Sequence, residues 1–238
     1  MPNQEQRRPV AAIVGAGPGN GHSLAKRFAD AGYAIALLAR DADRVASMAA
    51  EFPEARGYAC DVGKAESVAE AFASIREELG EVDALLFNAG SGVFADVETI
   101  TPDQFEAAWR VNALGALLCA QQVIPTMVER GSGAIVFIGA TASRRGGANT
   151  AAFAPAKAAQ RSLAESMARK LWPKGVHVAL VVIDGVVDLP GSRAQMSDRP
   201  ADAFVSPEAV ADLVFSLTNQ DRRGWSFETE VRPYLEPW

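Results

Sequence analysis

Short runs of apolar and β-branched residues alternate with longer stretches of helical periodicity along almost the whole chain, and few folds accept that order. Apolar runs occupy residues 10–14, 33–39, 82–87, 134–138 and 176–183. Helical patterns lie between and around them, at residues 23–31, 41–51, 64–79, 102–129 and 151–172. Strand and helix taking turns predicts a parallel sheet with helices on both faces. Strands that are apolar throughout, with no polar alternation, fit burial on both sides. Two helix starts are written into the sequence. Thr101-Pro102-Asp103-Gln104 combines an N-cap Thr, Pro at the first helical position and Gln at the third, and Ser206-Pro207-Glu208 begins in the same way. At 238 residues the chain fits one α/β domain over residues 10–238 behind a flexible polar segment at residues 1–9. One long irregular stretch, residues 188–205, carries Pro190, Gly191 and Pro200 and sits where a substrate lid would sit.

Composition excludes several classes of function. A net charge of −6 with no clustered basic stripe argues against a nucleic-acid surface. With only two histidines, His22 and His177, and two distant cysteines, Cys60 and Cys119, no group has metal-ligand spacing, and no metal is expected. The cysteines read as buried apolar residues in a reducing compartment. Residues 1–9 lack the apolar core of a signal peptide, and no apolar run approaches membrane-spanning length, so a soluble cytoplasmic protein is expected.

The run Val14-Gly15-Ala16-Gly17-Pro18-Gly19-Asn20-Gly21 joins the first strand to the first helix. Glycine permits positive φ and close approach of backbone to a ligand, and a helix N-terminus beside it offers N–H groups to a pyrophosphate. A turn that merely connects strand to helix is the other reading of these glycines alone. At the end of the second strand, Leu37-Leu38-Ala39-Arg40 has no acid to bond a ribose 2′-hydroxyl, and Arg40 can bind a 2′-phosphate with two parallel bonds. The expected cofactor is therefore NADP(H), with NAD(H) the second choice. An ordinary solvated arginine beside Asp41 and Asp43 is the competing reading.

Further along stand Asp61-Val62, Asn88-Ala89-Gly90, Asn112 and Phe153-Ala154-Pro155-Ala156-Lys157. In this order and at these intervals, together with the glycine turn, they resemble the short-chain dehydrogenase/reductase family over almost the entire chain. The resemblance implies a Rossmann-type, doubly wound, three-layer α/β/α fold with a sheet of about seven mostly parallel strands. It implies that Gly15, Gly17, Pro18, Gly19, Asn20 and Gly21 cradle the pyrophosphate. Asp61 and Val62 would contact adenine, and Asn88, Ala89 and Gly90 would pack beneath the adenine ribose. Lys157 would hold the nicotinamide ribose, and Gly185 would stand where the family closes a Pro-Gly pair over the nicotinamide.

The same resemblance exposes two departures. The family carries a Tyr where this chain has Phe153 and a Ser where it has Ala140. Phe153 has no proton to give and Ala140 no hydrogen bond to donate, so the family's phenol acid/base cannot operate. Asn112, expected to organise its helix and a water, and Lys157 remain. Thr141, Ser143 and Asp184 are candidate replacement polar groups, each with a purely structural alternative as a cap or loop residue. The expected function is an NADP(H)-preferring oxidoreductase acting on a carbonyl/alcohol pair or related unsaturated group of a small molecule. The alternative is a catalytically silent dinucleotide-binding sensor or partner-binding subunit.

Arg144-Arg145 would draw an acidic substrate toward the cleft, unless both are plain loop arginines. His177 is expected at a surface or edge position without chemistry, and His22 at the helix start. Small residues in the helices around Asn112 and Lys157 imply a homodimer or homotetramer by the family's habit. The tail from Trp225 alternates enough for an edge strand through Val231, with its aromatics packed on the body or a neighbouring subunit.

Overall fold

The computed structural model describes residues 7–236. Seven strands form one sheet: β1 (Val10–Val14), β2 (Ala34–Ala39), β3 (Ala55–Ala59), β4 (Val82–Phe87), β5 (Gly133–Ala140), β6 (Val176–Ile183) and β7 (Glu228–Val231). Their spatial order is β3-β2-β1-β4-β5-β6-β7, and every pairing is parallel. The order reverses direction at β1 and β4, the switch point at which a crevice opens beyond the strand ends. This is the expected Rossmann-type α/β fold.

Strand alternation sorts the apolar side chains into two layers. Ala12 and Val14 pack with Val68, Phe72 and Ile75 of α3 (Ala65–Glu78), Cys119 and Val123 of α5 (Gly115–Glu129) and Ala164 and Met167 of α6 (Phe153–Leu171). Ala11 and Ile13 pack on the other face with Leu24 and Phe28 of α1 (Asn20–Asp30), Val45 of α2 (Ala42–Ala49) and Val210 and Val214 of α8 (Pro207–Thr218). β1 is buried along its whole length because it is covered on both faces.

The two written helix starts are present. Thr101 and Gln104 form a reciprocal capping box at α4 (Pro102–Trp109), and Ser206 caps α8 through Ala209 N. Instead of one uniform helix over 102–129, α4 passes through a π turn at Arg110–Leu114 before α5 begins. The combined helix of 28 residues has a most apolar window with a mean hydropathy of 1.4, long and apolar enough by composition to cross a membrane. That corrects the expectation that no run reaches this length. Cys119, Ala120, Val123 and Met127 spend the apolarity on the sheet, where they are buried.

Other expectations need correction. Residues 188–205 are not wholly irregular: they hold α7 (Pro190–Gln195), and Val187 bridges Val205 to close the segment at its base. α1 starts at Asn20, three residues before the expected Ser23, because the glycine turn itself runs into the helix. His177 is buried, not at the surface; its ring stacks on Trp225 at 4.7 Å and both ring nitrogens meet backbone carbonyls, of Leu217 and Ser226. The tail does form edge strand β7, but Tyr234 is exposed, while Trp238 lies outside the described residues. Of the polar N-terminal segment, residues 1–6 lie outside the described residues, whereas Arg7 bonds both carboxylate oxygens of Asp83. Cys60 and Cys119 are free and buried in one cluster, and burial pushes the Cys60 thiol up to about 11.

Candidate dinucleotide and active site

A cleft of about 810 Å³ opens at the switch point, lined by the glycine turn, the ends of β2 and β3, and the segment after β4. The glycines differ in what they do. Gly15 has φ +88°, and a Cβ there would lie 2.5 Å from Ala89 N, so the turn and the β4 end touch backbone to backbone. A Cβ at Gly21 would lie 2.9 Å from Gly15 O, so Gly21 is held by the turn packing on its own helix. Gly17 lines the cleft with open space where a Cβ would stand. Pro18 is exposed, and Gly19 packs under Leu189, which belongs to the segment expected as a lid. Asn88 Nδ2 donates to Gly15 O at 2.8 Å and locks the end of β4 to the turn.

Arg40 is exposed on the cleft wall and makes no ion pair among the described residues. Arg44, one helical turn further on, lines the same wall, 3.4 Å from Asp41. Asp61 lines the cleft while its Oδ1 accepts from Gly63 N, so it both caps its turn and forms part of the cleft wall. Val62 is buried against Gly115. Ala89 and Gly90 form part of the cleft floor.

Beyond Gly90 two buried polar groups approach. Lys157 Nζ donates to Ile138 O at 2.9 Å and to Gln160 Oε1 at 3.2 Å, and burial lowers its pKa to about 8. Asn112 Nδ2 donates to Ala108 O and Ser91 O, so the side chain ties the π turn to the segment after β4. Its backbone carbonyl accepts from Gln160 Nε2 at 3.0 Å.

A second cavity of about 310 Å³ holds the two departures from the family pattern, Ala140 and Phe153, together with Thr141, Arg145, Phe94 and Gly185. Phe94 and Phe153 approach each other with ring centroids 5.4 Å apart, an apolar wall at the position where the family carries its phenol. Thr141 Oγ1 donates to Asp184 Oδ1. Asp184 is also paired with Arg232 at 3.3 Å and lies 3.8 Å from Arg145. Ser143 is drawn away from this group: it is buried and its Oγ accepts from Ala140 N, closing the loop on itself. Gly185, φ +152°, packs on Pro233 of the tail. Arg144 does not face the cavity as a free charge, because it is paired with Glu228 and Glu230 of β7.

Sequence reasoning missed Arg44, Gln160, Phe94 and Arg232. Helical spacing from Arg40 and Lys157 flags the first two. The others reach the site only through tertiary packing.

The residues present fit a dinucleotide. Gly15 admits no side chain, α1 has no side-chain cap at its N-terminus, and the buried Asn20 Oδ1 and Asn112 Oδ1 have no partner among the described residues. A doubly wound parallel sheet with a glycine cradle at its switch point defines the class as a Rossmann-type dinucleotide-binding protein.

The short chain dehydrogenase family model matches residues 9–199, and the chain belongs to that family of oxidoreductases. It is 30% identical over 218 residues to the 3-oxoacyl-[acyl-carrier-protein] reductase MabA of Mycobacterium tuberculosis, covering 88% of this chain and 85% of that one. The crystal structure of a short-chain dehydrogenase from Rhodopseudomonas palustris matches at 30% identity with a TM-score of 0.82, over 95% of this chain and 99% of that chain. An alcohol dehydrogenase from the archaeon Thermococcus sibiricus, complexed with 5-hydroxy-NADP, matches at 26% identity with a TM-score of 0.86, over 97% and 98% of the two chains.

Proposed function

We propose that the protein is an NADP(H)-preferring oxidoreductase that interconverts a carbonyl and an alcohol, or a related unsaturated pair, on a small molecule without a phenolic acid/base. The observation that carries this reading is that one short segment after β4 lines two cavities: Gly90 to Gly92 line the dinucleotide cleft and Phe94 lines the pocket that holds Phe153 and Thr141. Arg40 and Arg44, two guanidiniums on one wall, support the phosphorylated cofactor over the other. The 5-hydroxy-NADP bound by the Thermococcus sibiricus relative supports it too.

In this reading Gly15, Gly17, Pro18, Gly19, Asn20 and Gly21 surround the pyrophosphate, and Asp61 and Val62 flank the adenine. Asn88, Ala89 and Gly90 underlie its ribose. Lys157 anchors the nicotinamide ribose, Gly185 backs the nicotinamide, and Asn112 holds the π turn against the segment after β4. The cofactor supplies or accepts hydride when bound, and hydride transfer needs positioning above all. The pair Thr141–Asp184 provides the polar contact. A substrate hydroxyl that donates to Thr141 Oγ1 has a two-bond path to the Asp184 carboxylate, and reduction runs the same path in reverse. Ser143 acts on this pair through the loop it closes. Phe153 and Phe94 form an apolar wall of the pocket.

Phe105 and Trp109 of α4 are exposed, a patch that supports assembly into a homo-oligomer. Two free buried cysteines support a reducing cytosol.

The test is NADPH consumption against ketones, aldehydes, imines and enones, in the wild type and in Phe153→Tyr with Ala140→Ser. Turnover by the wild type upholds the reading. Absence of turnover in both, with NADPH bound tightly, replaces it with the silent sensor.

A further inference from the structure

Gln160 lies in α6, three residues after Lys157, and is fully buried. A buried amide is costly unless both of its ends are bonded, and packing alone is better served there by leucine or valine. Both ends are bonded. Oε1 accepts from Lys157 Nζ at 3.2 Å, and Nε2 donates to the backbone carbonyl of Asn112 at 3.0 Å. That carbonyl belongs to the π turn at Arg110–Leu114, where the helical ladder shifts its register and leaves backbone groups to be satisfied from outside.

The ammonium of Lys157 has three protons. Ile138 O takes one and Gln160 Oε1 another. Nζ also stands 3.8 Å from where a Cβ would be at Gly90, which lines the dinucleotide cleft. The ammonium, with one N–H left over, therefore stands beside a residue of the cleft floor. Among the described residues the groups beside the ammonium are uncharged, Ile138 of β5, Gln160 of α6 and Gly90 after β4, and burial alone shifts its pKa.

We propose that Gln160 is a positioning residue, clamping Lys157 to the π turn so that its remaining N–H points at the cleft beside Gly90. Because the link is a carboxamide and not a hydroxyl or water, it passes no proton between Lys157 and the Asn112 carbonyl. Lys157 is thereby a fixed cationic anchor and not part of a proton path, consistent with a chain that has also given up the phenol at Phe153. Naming the anchored group as the nicotinamide ribose rests on the function proposed above; the clamp itself does not.

The experiment titrates Lys157 in the cofactor-free protein by NMR of 13C-labelled lysine. The chain has five lysines, and loss of one resonance in Lys157→Met assigns it. The wild-type midpoint is expected near 8. Gln160→Leu removes the acceptor that stabilises the ammonium, and the midpoint falls by about one pH unit. The isosteric Gln160→Glu places a carboxylate there, and the midpoint rises. NADPH titration of the same samples shows affinity about tenfold weaker in Gln160→Leu, the same order as the loss of one hydrogen bond to a charged group. If Gln160→Leu does not fold, Gln160→Met replaces it. Midpoints unchanged in both the apolar variant and Gln160→Glu overturn the clamp. Midpoints that move while the wild type binds no NADPH uphold the clamp and overturn the cofactor reading.

Discussion

Replacing Asp184 with Asn separates the chemical role of the Thr141–Asp184 pair from its structural one. Asp184 and Arg232 are 3.3 Å apart, with side chains only 12% and 14% exposed. An exposed pair contributes at most about 1 kcal/mol, and breaking a fully buried one costs about 3–5 kcal/mol. This pair lies between those limits, at about 2 kcal/mol. Arg145, 3.8 Å away and largely exposed, adds little. For a chain of this size the loss lowers Tm by about 4–8 °C. Asn still accepts from Thr141, so the loop geometry persists, but a carboxamide cannot take a proton. Turnover is then expected to fall by about 10²–10⁴, with cofactor affinity unchanged. Thr141→Val should lose turnover to the same degree with a smaller drop in Tm, because the Asp184–Arg232 pair remains. The assays are calorimetry and steady-state kinetics on the substrate found in the screen. If both variants turn over like the wild type while Asp184→Asn melts early, the pair is only a strut between β6 and the tail, and the proton path is refuted.

The cofactor wall and cradle give further predictions. Arg40→Ala with Arg44→Ala should weaken NADPH binding about 10–100-fold and leave NADH within twofold, read by fluorescence titration. Gly15→Ala puts a Cβ 2.5 Å from backbone at φ +88°, and should cost about 1–3 kcal/mol and abolish cofactor binding, read by calorimetry and the same titration. Lys157→Met should bind NADPH poorly yet be more stable at pH 7 by about 1–3 kcal/mol. The folded pKa near 8 lies below the unfolded value near 10.5, so burying the charged lysine destabilises fully below pH 8. That cost is relieved as pH rises from about 8 to 10.5. Denaturant curves at pH 7 and 10 should therefore converge for the two proteins.

Much of the fold was legible because local signals and tertiary demands agree. Residues 10–14 are apolar throughout because β1 is covered on both faces, and Thr101 to Gln104 mark the start of α4 with their own hydrogen bonds. The cleft was legible for the same reason: glycines are required where Gly15 meets Ala89, and Arg40 stands at a position fixed by the strand end. What stayed hidden depends on partners far along the chain. Arg144 read as a free loop cation because its carboxylates, Glu228 and Glu230, lie in a strand more than 80 residues away. His177 read as an edge residue because Leu217, Trp225 and Ser226 cover it only after α8 and the tail fold back. The π turn around Asn112 has no residue signature of its own. Its purpose emerges only with Gln160, which reaches it across 48 residues.

The most direct test of the whole account is a fluorescence titration of the wild-type protein with NADPH and NADH side by side, followed by addition of the substrate panel to the NADPH-saturated sample. The account predicts saturable binding with NADPH preferred by at least about tenfold, and oxidation of the bound NADPH by at least one substrate. Absence of binding by either dinucleotide would contradict it outright.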